Sequence, residues 1–282
     1  MTQNRPTKLG ILAGGGDLPL KLAQGAQARG RELFVIAIEG CAGAEIEAYP
    51  HAWCPIGMVG QAQKLLRDAA CSDVVFAGVV RRPDFRKLKL DRKGAALLPK
   101  VLSAAAKGDD ALLSAMVADF EREGFRVVGV GDVFADLIVK PHVMTRAAPN
   151  DRDLRDIARG IEVVKALGSL DIGQGAVVCE GLVLGVEAAE GTDAMIERCA
   201  RLPEPIRGSQ TARRGVLVKL PKPGQELRVD LPTIGLPTVA RADAAGLAGI
   251  AVKAGAALII DEAAVVARAD AAGLFIVGIG DD

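Results

Sequence analysis

Aromatic residues are scarce in this 282-residue chain: 3% of the whole, with one Trp, one Tyr and seven Phe. Its cores must therefore be packed from small aliphatic side chains. Histidine is rarer still, and His51 and His142 are too few for a typical zinc site. No GxSxG or Cys–His signature marks a nucleophile. The five cysteines, Cys41, Cys54, Cys71, Cys179 and Cys199, form no CxxC pair and are odd in number, which fits reduced, mostly buried thiols without a catalytic role. Net charge is also missing, with 35 basic against 35 acidic residues, so no global field gathers nucleic acid or anionic lipid. Electrostatic recognition must be local. The longest apolar candidate, near Ala254–Ile260, is bounded by Lys253 and Asp261 and is too short to span a bilayer. The opening MTQNRPTKLGILAGGG is broken by glycines and lacks the apolar core of a secretory signal, so a cytoplasmic, soluble protein is expected.

Half the residues are hydrophobic and a quarter charged, a globular balance, and the length suits two domains each with its own core. Apolar runs at Leu9–Ala13, Leu33–Ile38, Val74–Val80 and Arg126–Val130 alternate with helix-like segments at Leu18–Arg29, Val59–Ala70 and Asp110–Glu123. That alternation predicts parallel strands with crossover helices, and ligands at the strands' carboxyl ends. The character changes over Pro141–Asp153, and the boundary is placed between residues 146 and 147. Beyond it the pattern predicts a helix over Leu154–Leu167, strands over Gly175–Cys179 and Leu182–Glu187, and a helix from Asp193. A βαβ-like tail closes the chain through Ala248–Lys253, Leu258–Ile260, Glu262–Ala272 and Leu274–Ile279. The expected architecture is α/β in two domains: a Rossmann-like parallel sheet over residues 1–146 and a mixed α/β domain over 147–282.

Four stretches could carry chemistry. In LGILAGGGDLP a strand runs into Gly14, Gly15 and Gly16, with Asp17 and Pro19 at a helix start, a backbone cradle suited to a nucleotide or diphosphate. It is neither the dinucleotide fingerprint, since Pro19 stands at the third-glycine position, nor a P-loop, since no GK[ST] follows. Asp17 as a plain N-cap is the simpler alternative. The second stretch, RRPDFRKLKLDRKG, sets seven basic residues against Asp84 and Asp91. Arg81 and Arg82, at a strand's end, are its candidates for phosphate oxygens, and the rest reads as a solvated loop. Third, VLGVEAAEGTDAMIER brings Glu187, Glu190 and Asp193 to a strand-to-helix turn, with Thr192 or Asp193 as the natural N-cap. In the fourth, VKLPKPGQELRVDLPTIG, Leu227, Val229 and Leu231 alternate with Glu226, Arg228 and Asp230, which predicts a strand with one charged face.

Together GILAGGGDLP, the GDD of Gly108–Asp110, VEAAEGTDAMIER and KLPKPGQELRVDLPTIG resemble the LpxI-type UDP-2,3-diacylglucosamine pyrophosphatases of lipid A biosynthesis, over nearly the whole chain and in the family's order. The resemblance implies a Mg²⁺-dependent hydrolase that converts UDP-2,3-diacylglucosamine to UMP and 2,3-diacylglucosamine 1-phosphate (lipid X), with attack at the phosphorus nearer the sugar. It also implies an amino-terminal nucleotide domain, a carboxy-terminal lipid domain, a homodimer and transient contact with the inner membrane surface. On that analogy Gly14–Gly16 face the UDP part and Asp230 is the metal-linked aspartate, with Glu226 and Glu187 as further metal candidates. Glu226 stands where the family pattern has aspartate. Lys219 and Arg228, with Lys222, would neutralise developing charge. Lys222, Gln225, Thr233, Ile234 and Thr192 would line the acylated sugar phosphate. Two other classes compete: a NAD(P)-dependent oxidoreductase gripping ribose through Glu39, and a non-enzymatic nucleotide–lipid carrier.

Overall fold

The computed structural model describes residues 7–80, 84–105 and 108–280. Its contacts divide the chain into two compact units, Met1–Ala135 with Arg228–Asp230, and Asp136–Leu227 with Leu231–Asp282.

The first unit is built on strands β1 (Leu9–Ala13), β2 (Leu33–Ile38), β3 (His51–Cys54), β4 (Asp73–Ala77) and β5 (Arg126–Val127). They pair in parallel in the order β3-β2-β1-β4-β5. β1 is central and buried at every position, as its apolar LGILA composition requires. Between the strands run α1 (Leu18–Ala28), α2 (Val59–Asp68), α3 (Arg92–Ala105) and α4 (Asp109–Arg122), and α5 (Val130–Val133) follows β5. Ile36, Leu66, Val74, Phe120 and Phe125 meet in one core, where Phe120 packs edge-on to Phe76 at 5.3 Å between centroids.

Two expectations change here. The apolar run Val74–Val80 stops pairing with β1 as a strand at Ala77, because Gly78 turns left-handed (φ +86°) and sends Val79 back to bridge Gly15. The basic stretch is not all loop. The carboxylate of Asp91 accepts from the amides of Gln61 and Gly94 at 2.8 and 2.7 Å, joining the first turns of α2 and α3, and Arg92 onward is helix.

The second unit begins its helical part with α6 (Asp151–Ser169), capped by the Asn150 side chain, which accepts from the amides of Arg152 and Asp153. It continues through β6 (Gly175–Cys179), β7 (Leu182–Val186), α7 (Gly191–Ala200), β8 (Val216–Lys219), β9 (Thr233–Ile234), α8 (Leu236–Ala244), β10 (Gly249–Lys253), β11 (Leu258–Ile259), α9 (Glu262–Ala272) and β12 (Phe275–Ile279). The main sheet runs β12-β10-β8-β6-β7, with β8, β10 and β12 parallel and β6 antiparallel to both neighbours. A separate two-stranded parallel sheet joins β9 to β11.

The alternation at 227–231 does not make a strand: Leu227–Val229 form a turn and pairing resumes only at Thr233. Pro223–Gly224 and Pro232 frame the segment and withhold amide donors or extended geometry from a ladder. Val229 packs instead on the Phe120 core, while Leu227 stays 43% exposed. The helix expected from Asp193 starts at Gly191, after Glu190 in the N-cap position, so Thr192 and Asp193 lie inside its first turn and neither is the cap. The α/β class and the two-domain organisation, one parallel sheet and one mixed, are as the sequence predicts.

Candidate functional site

At the carboxyl ends of β1 and β2 the first unit encloses a cavity of about 240 Å³. One wall is the glycine turn with Gly14, Gly16 and Asp17; the other is the segment after β2, with Gly43, Glu45 and Ile46. The three glycines have different reasons to be glycine. The Gly14 amide donates to Ala77 O at 2.8 Å and the Gly15 amide to Val79 O at 2.9 Å. A Cβ on Gly14 would lie 2.7 Å from Val79 O, and one on Gly15 would lie 3.0 Å from Cys41 O. These two residues close the turn against the end of β4, so their amides are engaged within the protein. Gly16 is left-handed (φ +84°) with nothing near its missing Cβ. It lines the cavity together with Gly14 and with Pro19 and Leu20 of the first turn of α1. Asp17 sits in the N-cap position, but its side chain makes no capping hydrogen bond, and it lines the cavity. Arg81 and Arg82 lie outside the described residues.

In the second unit the sheet sets Glu187, Gly175 and Lys219 abreast: Gly175 pairs with Lys219, and the Glu187 amide donates to Gly175 O at 2.8 Å. Gly175 carries no side chain because the Glu187 carboxylate lies over it, 2.5 Å from where a Cβ would be. Glu187 is 7% exposed, and its Oε2 is buried without a hydrogen-bond partner. Lys219 is 5% exposed, and its Nζ donates to Thr233 O at 3.1 Å. Lys222 pairs with Asp171 at 2.6 Å, while its amide donates to the buried Gln225 side chain, also at 2.6 Å. Thr233 Oγ1 donates to Leu231 O at 3.0 Å. Ile234, 1% exposed, belongs to the core with Leu217 and Ile250. Thr192 is half-buried in the first turn of α7. The neighbouring Glu190 pairs with Arg198 at 2.9 Å, and a hydrogen bond from its own backbone, then that arginine, holds its carboxyl below the usual range.

Within the first unit, Arg228 donates to Glu121 at 2.6 Å and to Val127 O at 3.4 Å, fixing the segment that ends in Asp230 to α4 and β5. Asp230 and Glu226 each have interactions of their own. Among the described residues no three His, Cys, Asp or Glu side chains are grouped as a full metal cage would require. Carboxylate oxygens are nonetheless the donors Mg²⁺ takes, and that ion commonly uses one or two of them, completing its shell with water and substrate phosphate. The donor chemistry of the Asp230 carboxylate fits such an ion.

The thiols are free, and burial pushes Cys54, Cys71 and Cys179 up to about 11, as inert core residues require. Two features escaped the sequence reading. Glu45 follows the strand end by seven residues, and the Gly43-x-Glu45 spacing was its only local sign. Asp171, the Lys222 partner, is 51 residues away in the chain.

A family model described as the LpxI N-terminal domain matches residues 8–137, and one described as the LpxI C-terminal domain matches residues 140–277. The chain is 49% identical over 272 residues to the UDP-2,3-diacylglucosamine pyrophosphatase LpxI of Caulobacter vibrioides, covering 96% of this chain and 97% of that protein. A solved structure of CobK precorrin-6A reductase aligns with 98% of this chain and 88% of its own at 12% identity and a TM-score of 0.32, a likeness too slight to argue from.

Proposed function

The chain belongs to the LpxI family, and on that premise we propose that it hydrolyses UDP-2,3-diacylglucosamine to UMP and 2,3-diacylglucosamine 1-phosphate in the cytoplasm, as a step of lipid A synthesis. What carries the reading is the near full-length similarity to a pyrophosphatase of that name, which runs through both units. The cavity at the ends of β1 and β2 supports assigning the uridine nucleotide to the first unit. The diacylated sugar phosphate is assigned to the second unit, with Lys222, Gln225, Thr233 and Thr192 as its polar contacts.

In the reaction a water oxygen bonds to one phosphorus, and the bridging oxygen leaves with the other phosphate. Asp230 would supply carboxylate oxygens for Mg²⁺ from the first unit, and Glu226 and Glu187 are the candidate carboxylates of the second. When bound, such an ion would draw charge from phosphoryl oxygens and make the attacking water more acidic. Lys219, fixed by Thr233 O, carries positive charge that a phosphoryl transition state requires. Arg228 holds the Arg228–Asp230 turn through Glu121 and Val127 O.

The test is incubation of the full chain with UDP-2,3-diacylglucosamine and Mg²⁺ in ¹⁸O water, with mass spectrometry of both products. One ¹⁸O in the sugar phosphate and none in UMP is the expected outcome. Binding without release of UMP would identify a carrier, and NAD(P) turnover an oxidoreductase. A homodimer in solution is also expected, visible in sedimentation equilibrium as twice the chain mass. Reversible binding to anionic vesicles is the corresponding check on membrane contact.

A further inference from the structure

We propose that Glu45 is the ribose-binding carboxylate of the first unit's cavity, accepting hydrogen bonds from the 2′- and 3′-hydroxyls of a uridine nucleotide and so selecting ribonucleotides; this rests on the nucleotide reading above. At about 240 Å³ the cavity falls below the roughly 300–1,000 Å³ of sites for drug-sized ligands. It therefore takes part of a nucleotide-linked lipid and not the whole. Its two walls differ in chemistry. The Gly16 side offers left-handed backbone and the positive end of the eleven-residue helix α1, the environment an anion prefers. The side after β2 offers Glu45. An ionised carboxylate accepts hydrogen bonds and cannot donate them, so it repels phosphate and matches a pair of neighbouring hydroxyls.

The position of the acid follows from the fold. In doubly wound nucleotide folds an acidic side chain beyond the second strand accepts from ribose. Glu39 directly follows β2 but is not among the cavity-lining residues described, whereas Glu45, on the short helical turn Ala44–Ala48, is. Glu47, two residues on, is engaged by the Trp53 indole N–H at 3.1 Å. The Glu45 carboxylate lies back over its own loop, its Oε2 2.3 Å from where a Cβ on Gly43 would stand, and as the end of an exposed, flexible side chain it can turn toward a hydroxyl pair.

The experiment is calorimetric titration of the full chain with UMP and with 2′,3′-dideoxy-UMP. For the unaltered protein UMP should bind roughly ten- to a hundredfold more tightly, the usual worth of hydrogen bonds to a charged group. In Glu45→Ala that ratio should collapse to near one while the dideoxy affinity holds, which also reports an intact cavity. Asp17→Asn, altering the other acid of the cavity, should leave the ratio in place. A ratio unchanged by Glu45→Ala, or one abolished by Asp17→Asn instead, overturns the assignment while leaving the nucleotide site standing. Failure of UMP to bind the unaltered protein at millimolar concentration removes the nucleotide reading itself.

Discussion

Asp73 and Asp243 are nearly buried carboxylates, each held between two arginines. Asp73, 1% exposed, accepts from Thr7 at 2.5 Å, from Arg126 at 2.8 and 2.6 Å, and from Arg31. Asp243 takes Arg213 at 2.5 Å and Arg268 at 2.6 Å. In both, burial is the largest single influence and pushes the carboxyl up. The hydrogen bonds and charges of the partners outweigh it and hold the carboxyl below the usual range. Their stabilisation is therefore complete above the ordinary aspartate pKa of about 3.9 and is lost as pH falls through the lower folded value. Asp73→Ala leaves two arginines without their anion and should cost roughly 3 kcal/mol in urea unfolding near neutral pH. The difference from the parent should shrink as acid protonates the parent's Asp73. A midpoint equal to the parent's at pH 7 would refute the hub. None of this was legible in the sequence, because Arg31 and Arg126 lie 42 and 53 residues from Asp73. Local chemistry was legible: the run of three glycines after LGILA announced a strand-to-helix turn, although not that two of its amides would be engaged by Ala77 at the end of β4 and by Val79 beyond it.

Glycines mark two places where elements approach closely, and they differ in what a methyl group would do. At the β1–α1 turn, Gly14→Ala drives Cβ to 2.7 Å from a backbone oxygen that cannot swing aside, so a loss of roughly 1–3 kcal/mol and weakened UMP binding are expected. Gly16→Ala meets open space and only the left-handed penalty, roughly 1 kcal/mol. Thermal unfolding of the two variants should rank them in that order. On α6, a Cβ at Gly160 would stand 2.4 Å from Val218 Cγ2 of β8. Gly160→Ala alone should destabilise by roughly 1–3 kcal/mol, whereas in combination with Val218→Ala the two costs should sum to less than additive, since the second change vacates the space the first needs. Strict additivity in a urea double-mutant cycle would show that the contact is not tight. The elements read correctly were those with strong local signals: β1, β2 and β6 as apolar runs, and α9 between Asp261 and Gly273. α3 escaped because Pro99 and a basic start disguise a helix held by the distant amide contacts of Asp91. α8 escaped because Gly235-Leu236-Pro237 reads as the end of a loop when it is the first turn of a helix.

For the whole molecule, order along the chain and membership of a compact unit part company at Arg228–Asp230. The three residues fall within the stretch matched by the C-terminal family model, yet they pack within the first unit. The alternating pattern that reads as a strand reflects this excursion, with Val229 turned into the Phe120 core and Arg228 joined to Glu121. A sequence pattern reports that a side chain is buried, not which core receives it, so the assignment was beyond a linear reading. The consequence concerns Asp230. If Arg228 acts by fixing the turn that presents this carboxylate, then removing its partner should mimic removing Arg228 itself. Both side chains of the pair are about two-fifths exposed, so the contact adds little to stability, roughly 0–1 kcal/mol. Displacement of a reacting group by an ångström can nevertheless cost on the order of a hundredfold in rate. Glu121→Ala and Arg228→Ala should each lower kcat by roughly ten- to a hundredfold with melting temperatures nearly unchanged, and the double variant should be no slower than the worse single one. Asp230→Ala sets the floor of that series. If Arg228→Ala is slow while Glu121→Ala is as fast as the parent, Arg228 meets the phosphoryl group directly and the positioning role is wrong.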